Sequence, residues 1–257
     1  MDERLLHALH VQALRHAELH PERVPHVVFQ TSTIGALLDG AYDGDVTIAE
    51  ALEHGDHGLG TLNGLDGELV VVDGRAYAAS VDGELRPVSR AERTPFAVLA
   101  PFRPDVRIGL PGPLTLAELL EVVDEHLPGG SRLVHPVRVD GRFDVVRARS
   151  VPRQTPPYRP LGEVVAEQHV FELRDLEGTM VGFRFPADAG ALNVPGHHLH
   201  VADAERRRGG HVFDCVLLEG ELAIDHSADV HAELPAGVEL ATTPAEAAAL
   251  AAAERER

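Results

Sequence analysis

The segment PGHHLHVADAERRRGGHVFD, residues 195–214, concentrates imidazoles in a pattern that could do chemistry. His198 and His200 are separated by one residue, and His211 follows beyond a polar, turn-rich stretch. On a strand, side chains at i and i+2 share a face about 7 Å apart. His198 and His200 should therefore point together, with His197, Leu199 and Val201 pointing the other way. A hairpin through DAERRRGG would bring His211 back alongside them. Three imidazoles from adjacent strands suit zinc, copper, nickel or iron. Three protein ligands with positions left open is the arrangement of a catalytic zinc site, not a structural one. The chain holds 16 histidines in 257 residues, however, a density at which His-x-His pairs also arise without a metal. Spacing alone leaves both readings open.

Other chemistry-bearing stretches read as structural. In HAELH (16–20), His16 and His20 lie one helical turn apart, but the glutamate is misplaced for a His-Glu-x-x-His metal helix, so this is a solvated helix face. GLGTLNGLDG (58–67) fits neither phosphate-binding glycine pattern and has no helix after it; it reads as a loop or hairpin. The lone Cys215 excludes an intramolecular disulfide and any cysteine zinc cluster. Within VFDCVLL it reads as a buried, inert thiol on a strand.

The elements that must position the histidines fall into two halves. TIAEALE from Thr47 and TLAELLE from Thr115 each open with a Thr-x-x-Glu capping box. Each is followed by VDGR, at Val72 and Val139, where Asp-Gly between apolar runs signals a hairpin turn. Each unit thus reads as helix, strand, tight turn, strand, with glycine stops at Gly55 and Gly129 and a shared mixed sheet. The proline-rich VPRQTPPYRPL (151–161) should run extended as a connector. Beyond it the chain turns antiparallel and strand-rich, ending in a short Ala-rich helix. The fold class expected is α/β (α+β), a mixed sheet with helices in the first half and an antiparallel β-rich second half. The domains expected are 1–150, α/β with the duplicated unit, and 151–257, β-rich with the metal site.

Composition narrows the partners. Apolar residues make up 44% and charged residues 25%, an ordinary globular balance. Tryptophan is absent and aromatics are 4%, so Val, Leu and Ala must fill the core. With 23 Lys+Arg against 41 Asp+Glu, the net charge is −18. A field of that sign disfavours nucleic acid and anionic membranes, and an anionic small molecule would need a local positive centre. The N-terminus lacks the apolar run of a signal peptide, and no run approaches the ~20 residues of a membrane span. A cytoplasmic location is expected.

Several longer segments resemble the α-acetolactate decarboxylase family. They are residues 31–77, RTPFAVLAPFRPD (93–105), RARSVPRQTPPYRPL (147–161), GTMVGFRFP (178–186) and GHHLHVADAERRRGGHVFD (196–214). The likeness runs in order over most of 29–220. It implies that His198, His200 and His211 bind Zn2+, that Glu68 and Arg149 are the active-site carboxylate and arginine, and that Thr61 is a pocket-lining hydroxyl. It further implies a glutamate near the C-terminus reaching into the site, here Glu254 with Glu256 as rival, since the Ala-rich tail departs from the family pattern. His197 stands where the family usually carries an aromatic, and His57 where Phe or Leu is common. The resemblance also implies a two-domain fold, frequently dimeric, with the site between the domains.

The activity so implied is conversion of (S)-2-acetolactate to (R)-acetoin and CO2. Loss of CO2 leaves an enediolate; a chelated metal polarises the electron sink, Arg149 holds a carboxylate through its planar fork, and a partly desolvated glutamic acid protonates carbon. Which glutamate is acid and which is base stays open. Two rival readings stand beside this one. A cupin-like metal enzyme acting on a small oxo or hydroxy acid would make Glu205 a ligand. A non-catalytic metal-binding β module would leave the likeness at Thr61 and Glu68 unexplained.

Overall fold

The computed structural model describes residues 10–15, 19–20, 23–128, 131–190 and 192–235. In chain order its strands begin with β1 (His10–Leu14), β2 (Val27–Thr31), β3 (His57–Thr61), β4 (Glu68–Val72), β5 (Arg75–Ala79), β6 (Leu85–Pro87) and β7 (Phe96–Ala100). They continue with β8 (Val106–Leu110), β9 (Leu114–Thr115), β10 (His135–Ser150), β11 (His169–Phe185), β12 (Gly196–Asp203), β13 (Gly209–Ile224) and β14 (Asp229–Glu233). The helices are α1 (Ile34–Leu38), α2 (Ile48–His54), α3 (Leu116–Glu125) and α4 (Leu161–Val165).

Two sheets result. The first runs β1-β14-β2-β7-β3-β4-β5-β6 and is mixed, because β14 pairs in parallel with both β1 and β2. The second joins β10, β11, β12, β13 and β8, with β9 on β13, and is antiparallel throughout. Because β10 also pairs β13 along its length, β10-β11-β12-β13 closes into a ring of pairings. This is the α/β class with the β-rich histidine-bearing half read from the sequence. The sheets are not successive stretches of chain: β8, β9 and β10 join the second sheet, and β14 returns to the first.

Both capping boxes form. The Thr47 and Thr115 side chains accept from Glu50 N and Glu118 N, and the two glutamates accept from the threonine backbones at 2.8 Å. Gly55 caps α2 as expected, whereas α3 is capped by His126; Gly129 lies outside the described residues. The internal duplication fails beyond the helices. Asp73 and Gly74 take φ of 51° and 73°, the left-handed pair a tight hairpin needs, and β4 turns into β5. Gly141 has no such backbone: Asp140 and Gly141 run straight through β10, paired to Thr179 and Gly178 on one side and Glu221 and Gly220 on the other. A Cβ at Gly141 would stand 2.6 Å from Glu219 O, so glycine here serves close strand approach, not a turn. The second unit therefore shares no sheet with the first.

Strand alternation sorts the core. On β4, Leu69 and Val71 pack with Ile48 and Leu52 of α2, while Val70 and Val72 pack on Val181 and Ala202 of the second sheet. On β12, Leu199 and Val201 fill the inside of the ring with Val139, Phe143, Met180 and Leu217. The alternate positions of both strands thus face each other across the gap between the sheets.

Candidate active site

The same alternation places the chemistry. Glu68 shares the face of Val70, and Thr61 that of Leu59, which packs into the core shared with Phe183 and Phe185. His198 and His200 share the face of Ala202. The β12–β13 hairpin pairs His200 directly with His211, and β10 sets Arg149 opposite His211. Thr61 and Glu68 are direct cross-strand partners on β3 and β4. All six line one pocket.

The three imidazoles converge. His198 Nε2, His200 Nε2 and His211 Nδ1 are each 3.2 Å from the other two. His200 Nδ1 lies 2.8 Å from the Leu69 carbonyl, which can only accept, so Nδ1 carries the proton and Nε2 turns a lone pair inward. Burial, with neighbouring imidazoles and Arg149 adding to it, holds His198 and His211 well below the usual histidine range. Burial first and Arg149 second bring His200 down to about 4, against the raising effect of the Leu69 hydrogen bond. Neutral imidazole is the metal-binding form. Nitrogens bound 2.0–2.1 Å from one tetrahedral ion stand about 3.4 Å apart, close to the spacing here. The donor set fits a borderline divalent cation such as zinc.

Around this cluster, Glu68 Oε2 is 3.7 Å from His200 Nε2. Arg149 is buried; its Nη2 stands 3.2 Å from His211 Nε2 and its Nη1 donates to Gln168 Oε1 at 2.8 Å. The Thr61 hydroxyl donates to Gly67 O at 3.0 Å, which leaves its oxygen able to accept from a bound molecule. Ile34 and Leu37 of α1, Leu65, Phe96, Val151, and Leu161 and Val165 of α4 make the remaining wall apolar. A charged and metal-ready floor under an apolar wall suits a small anion bearing short alkyl groups.

Residues 28–244 match the profile of a family described as Alpha-acetolactate decarboxylase. The chain belongs to this family. A relative of that name from Methylococcus capsulatus is 44% identical over 210 residues, covering 82% of this chain and 80% of its own. Another from Klebsiella aerogenes is 40% identical over 217 residues, covering 84% and 82%. The crystal structure of alpha-acetolactate decarboxylase from Bacillus subtilis superposes with a TM-score of 0.84 at 36% identity, over 90% of this chain and 100% of that one.

For a member of this family, the sequence-derived residues gather well. His198, His200, His211, Glu68, Arg149 and Thr61 meet in the pocket, whereas Glu254 and Glu256 lie outside the described residues, as does His16 of the HAELH segment. His197 faces away, 3.2 Å from Asp124 of α3. His57 packs between Phe102 and Phe183, where burial lowers it to about 4. Glu205 is exposed in the β12–β13 turn, apart from the histidine cluster, which removes the ligand a cupin-like site requires. Cys215 is buried, and burial pushes its thiol up to about 12, the inert state expected. No described helix is long and apolar enough to cross a membrane. Sequence reasoning missed the apolar wall and Gln168. Leu161 sits in a family-like segment, but apolar residues there carry no sign separating a pocket wall from core.

Proposed function

We propose that the chain decarboxylates (S)-2-acetolactate to (R)-acetoin and CO2, with Zn2+ held by His198, His200 and His211. The observation that carries this reading is the meeting, in one pocket of an alpha-acetolactate decarboxylase family member, of three neutral imidazoles, a buried arginine and a carboxylate.

When bound, the metal supplies a Lewis acid that polarises the substrate's ketone and hydroxyl oxygens. Arg149 binds the carboxylate and, with the metal, provides the local positive centre that a −18 protein needs for an anion. The bond between the carboxylate carbon and C2 breaks, CO2 leaves, and the electron pair becomes a C2–C3 double bond as the ketone's π pair moves onto its oxygen; protonation at C2 re-forms the ketone. Glu68, which lines the pocket 3.7 Å from His200 Nε2, moves a proton to that carbon in this reading, with Glu254 or Glu256 as the second carboxylate. The Thr61 oxygen accepts a hydrogen bond that orients the substrate. The apolar wall receives the methyl groups and keeps water from the carbon that takes up the proton.

We also propose a homodimer on the family resemblance, a cytoplasmic location, and domains at 1–150 and 151–257 that share strands, β8–β10 of the first lying in one sheet with β11–β13 of the second. Incubating purified protein with racemic 2-acetolactate, with and without a strong chelator, tests the proposed activity. Chelator-sensitive release of a single acetoin enantiomer supports the proposal; no acetoin from protein carrying one zinc per chain sinks it.

A further inference from the structure

Arg149 must present its positive charge to an anion while held in a fixed direction, and Gln168 is built to do that. Gln168 sits between α4 and β11, with its backbone N–H donating to Val165 O at 3.0 Å. Its Oε1 accepts from Arg149 Nη1 at 2.8 Å. The α4 turn that carries Leu161 and Val165 into the pocket wall is therefore tied to the guanidinium by one side chain. A carboxamide oxygen orients the guanidinium but brings no charge, whereas a carboxylate there would form an ion pair and neutralise the centre. The neighbouring carboxylate, Glu167, is turned away to both Nη atoms of Arg159, at 2.7 and 2.9 Å.

We propose that Gln168 is a positioning residue for Arg149, an uncharged acceptor at Nη1 that aims the guanidinium at the substrate carboxylate without itself consuming its charge. This rests on the reading of Arg149 as the carboxylate binder and extends it to substrate selection: the site prefers an anion because position 168 is neutral.

The test compares two ligands of one skeleton, 2-hydroxy-2-methylpropanoate and the neutral 2-methylpropane-1,2-diol, as inhibitors of the zinc-loaded enzyme. In Gln168→Glu, inhibition by the hydroxy acid should weaken about tenfold or more, the scale of one charge-assisted hydrogen bond, and KM for 2-acetolactate should rise in step. Inhibition by the diol and zinc content should hold. Gln168→Met, uncharged and of similar length, should lie between Gln168→Glu and the parent. Equal weakening of both ligands would assign Gln168 a merely structural role and overturn the proposal, as would unchanged inhibition by both. Arg149→Met separates the two readings. If it abolishes the preference for the hydroxy acid while Gln168→Glu leaves it intact, the inference about Gln168 alone falls. If Arg149→Met also leaves that preference intact, the role of Arg149 falls and the inference goes with it.

Discussion

Arg149 and His211 oppose each other directly on β10 and β13, with 3.2 Å between guanidinium Nη2 and imidazole Nε2. A permanent positive charge is thereby fixed beside one member of the histidine triad, within the same pocket as Glu68. Lysine would keep the charge but lose the planar fork. Arg149→Lys should lower kcat/KM for 2-acetolactate by about 100-fold, a cost of near 3 kcal/mol in transition-state binding, with metal content unchanged. Steady-state kinetics beside elemental analysis check this; kinetics like the parent's would show that the charge at position 149 suffices and the planar fork has no part in the reaction.

Glu68→Gln keeps the size and hydrogen-bonding capacity of the side chain but cannot exchange a proton. Turnover should fall by roughly 10²–10⁴, the range of one general acid–base group. The variant should still bind metal, because none of the three converging nitrogens is altered. Near-native turnover would show that another group delivers the proton.

Removal of one imidazole should act on the metal first. His200→Ala should release zinc during dialysis and lose turnover, and added zinc should not restore it at stoichiometric concentration. A ligand that binds only the folded state stabilises it by mass action, so chelation should lower the Tm of the parent and leave that of His200→Ala unchanged. A parent Tm indifferent to chelator would argue against a resident metal.

Two buried histidines away from the cluster set an acid limit. His57 is lowered to about 4 chiefly by burial, and His135 to about 3 by burial and then by His226, whose Nδ1 is 2.8 Å from its own. In the unfolded chain both titrate near 6.5. Their folded pKa values are depressed, so the unfolded state takes protons first as pH falls, and stability is lost from about pH 6.5 downward. By pH 5 each should cost about 2 kcal/mol. His57→Phe should flatten the dependence of Tm on pH between 6.5 and 4.5; an identical slope would show that His57 ionises without penalty.

Close strand approach predicts one severe backbone change. A Cβ at Gly182 would stand 2.1 Å from the carbonyl of His198. Gly182→Ala should push β12 from β11, lower the Tm and reduce metal binding together, overpacking of this kind costing roughly 1–3 kcal/mol or more. Circular dichroism melts paired with zinc titration read both effects; loss of neither would show that the strands can part at no cost.

Much of this was legible in the sequence because strands have a period of two. His198-x-His200 with a polar hairpin before His211 made convergence of the three imidazoles readable, though spacing left a metal site and a metal-free cluster both open, and the Thr-x-x-Glu boxes led to α2 and α3. Glu68, Thr61 and Arg149 carried no such signal. They came from family likeness: Thr61 and Glu68 face each other across the β3–β4 pair, but they meet Arg149 and the histidines only when the two sheets dock. The second Asp-Gly misled for a related reason. A dipeptide that turns a hairpin at Asp73-Gly74 runs straight at Asp140-Gly141, where β11 and β13 press from both sides. Gln168 showed nothing, since a single amide after a short helix looks like any other.

The acceptor that fixes the proton on His200 is the main-chain oxygen of Leu69. No replacement of the Leu69 side chain removes that oxygen, so point substitution at this position leaves the tautomer intact. What moves the oxygen is a change of length: one residue gained or lost in the β3–β4 turn would shift β4 and reverse which of its residues face β12. The proton position of a histidine in the candidate metal site is therefore protected against exchange of letters and exposed to errors of counting.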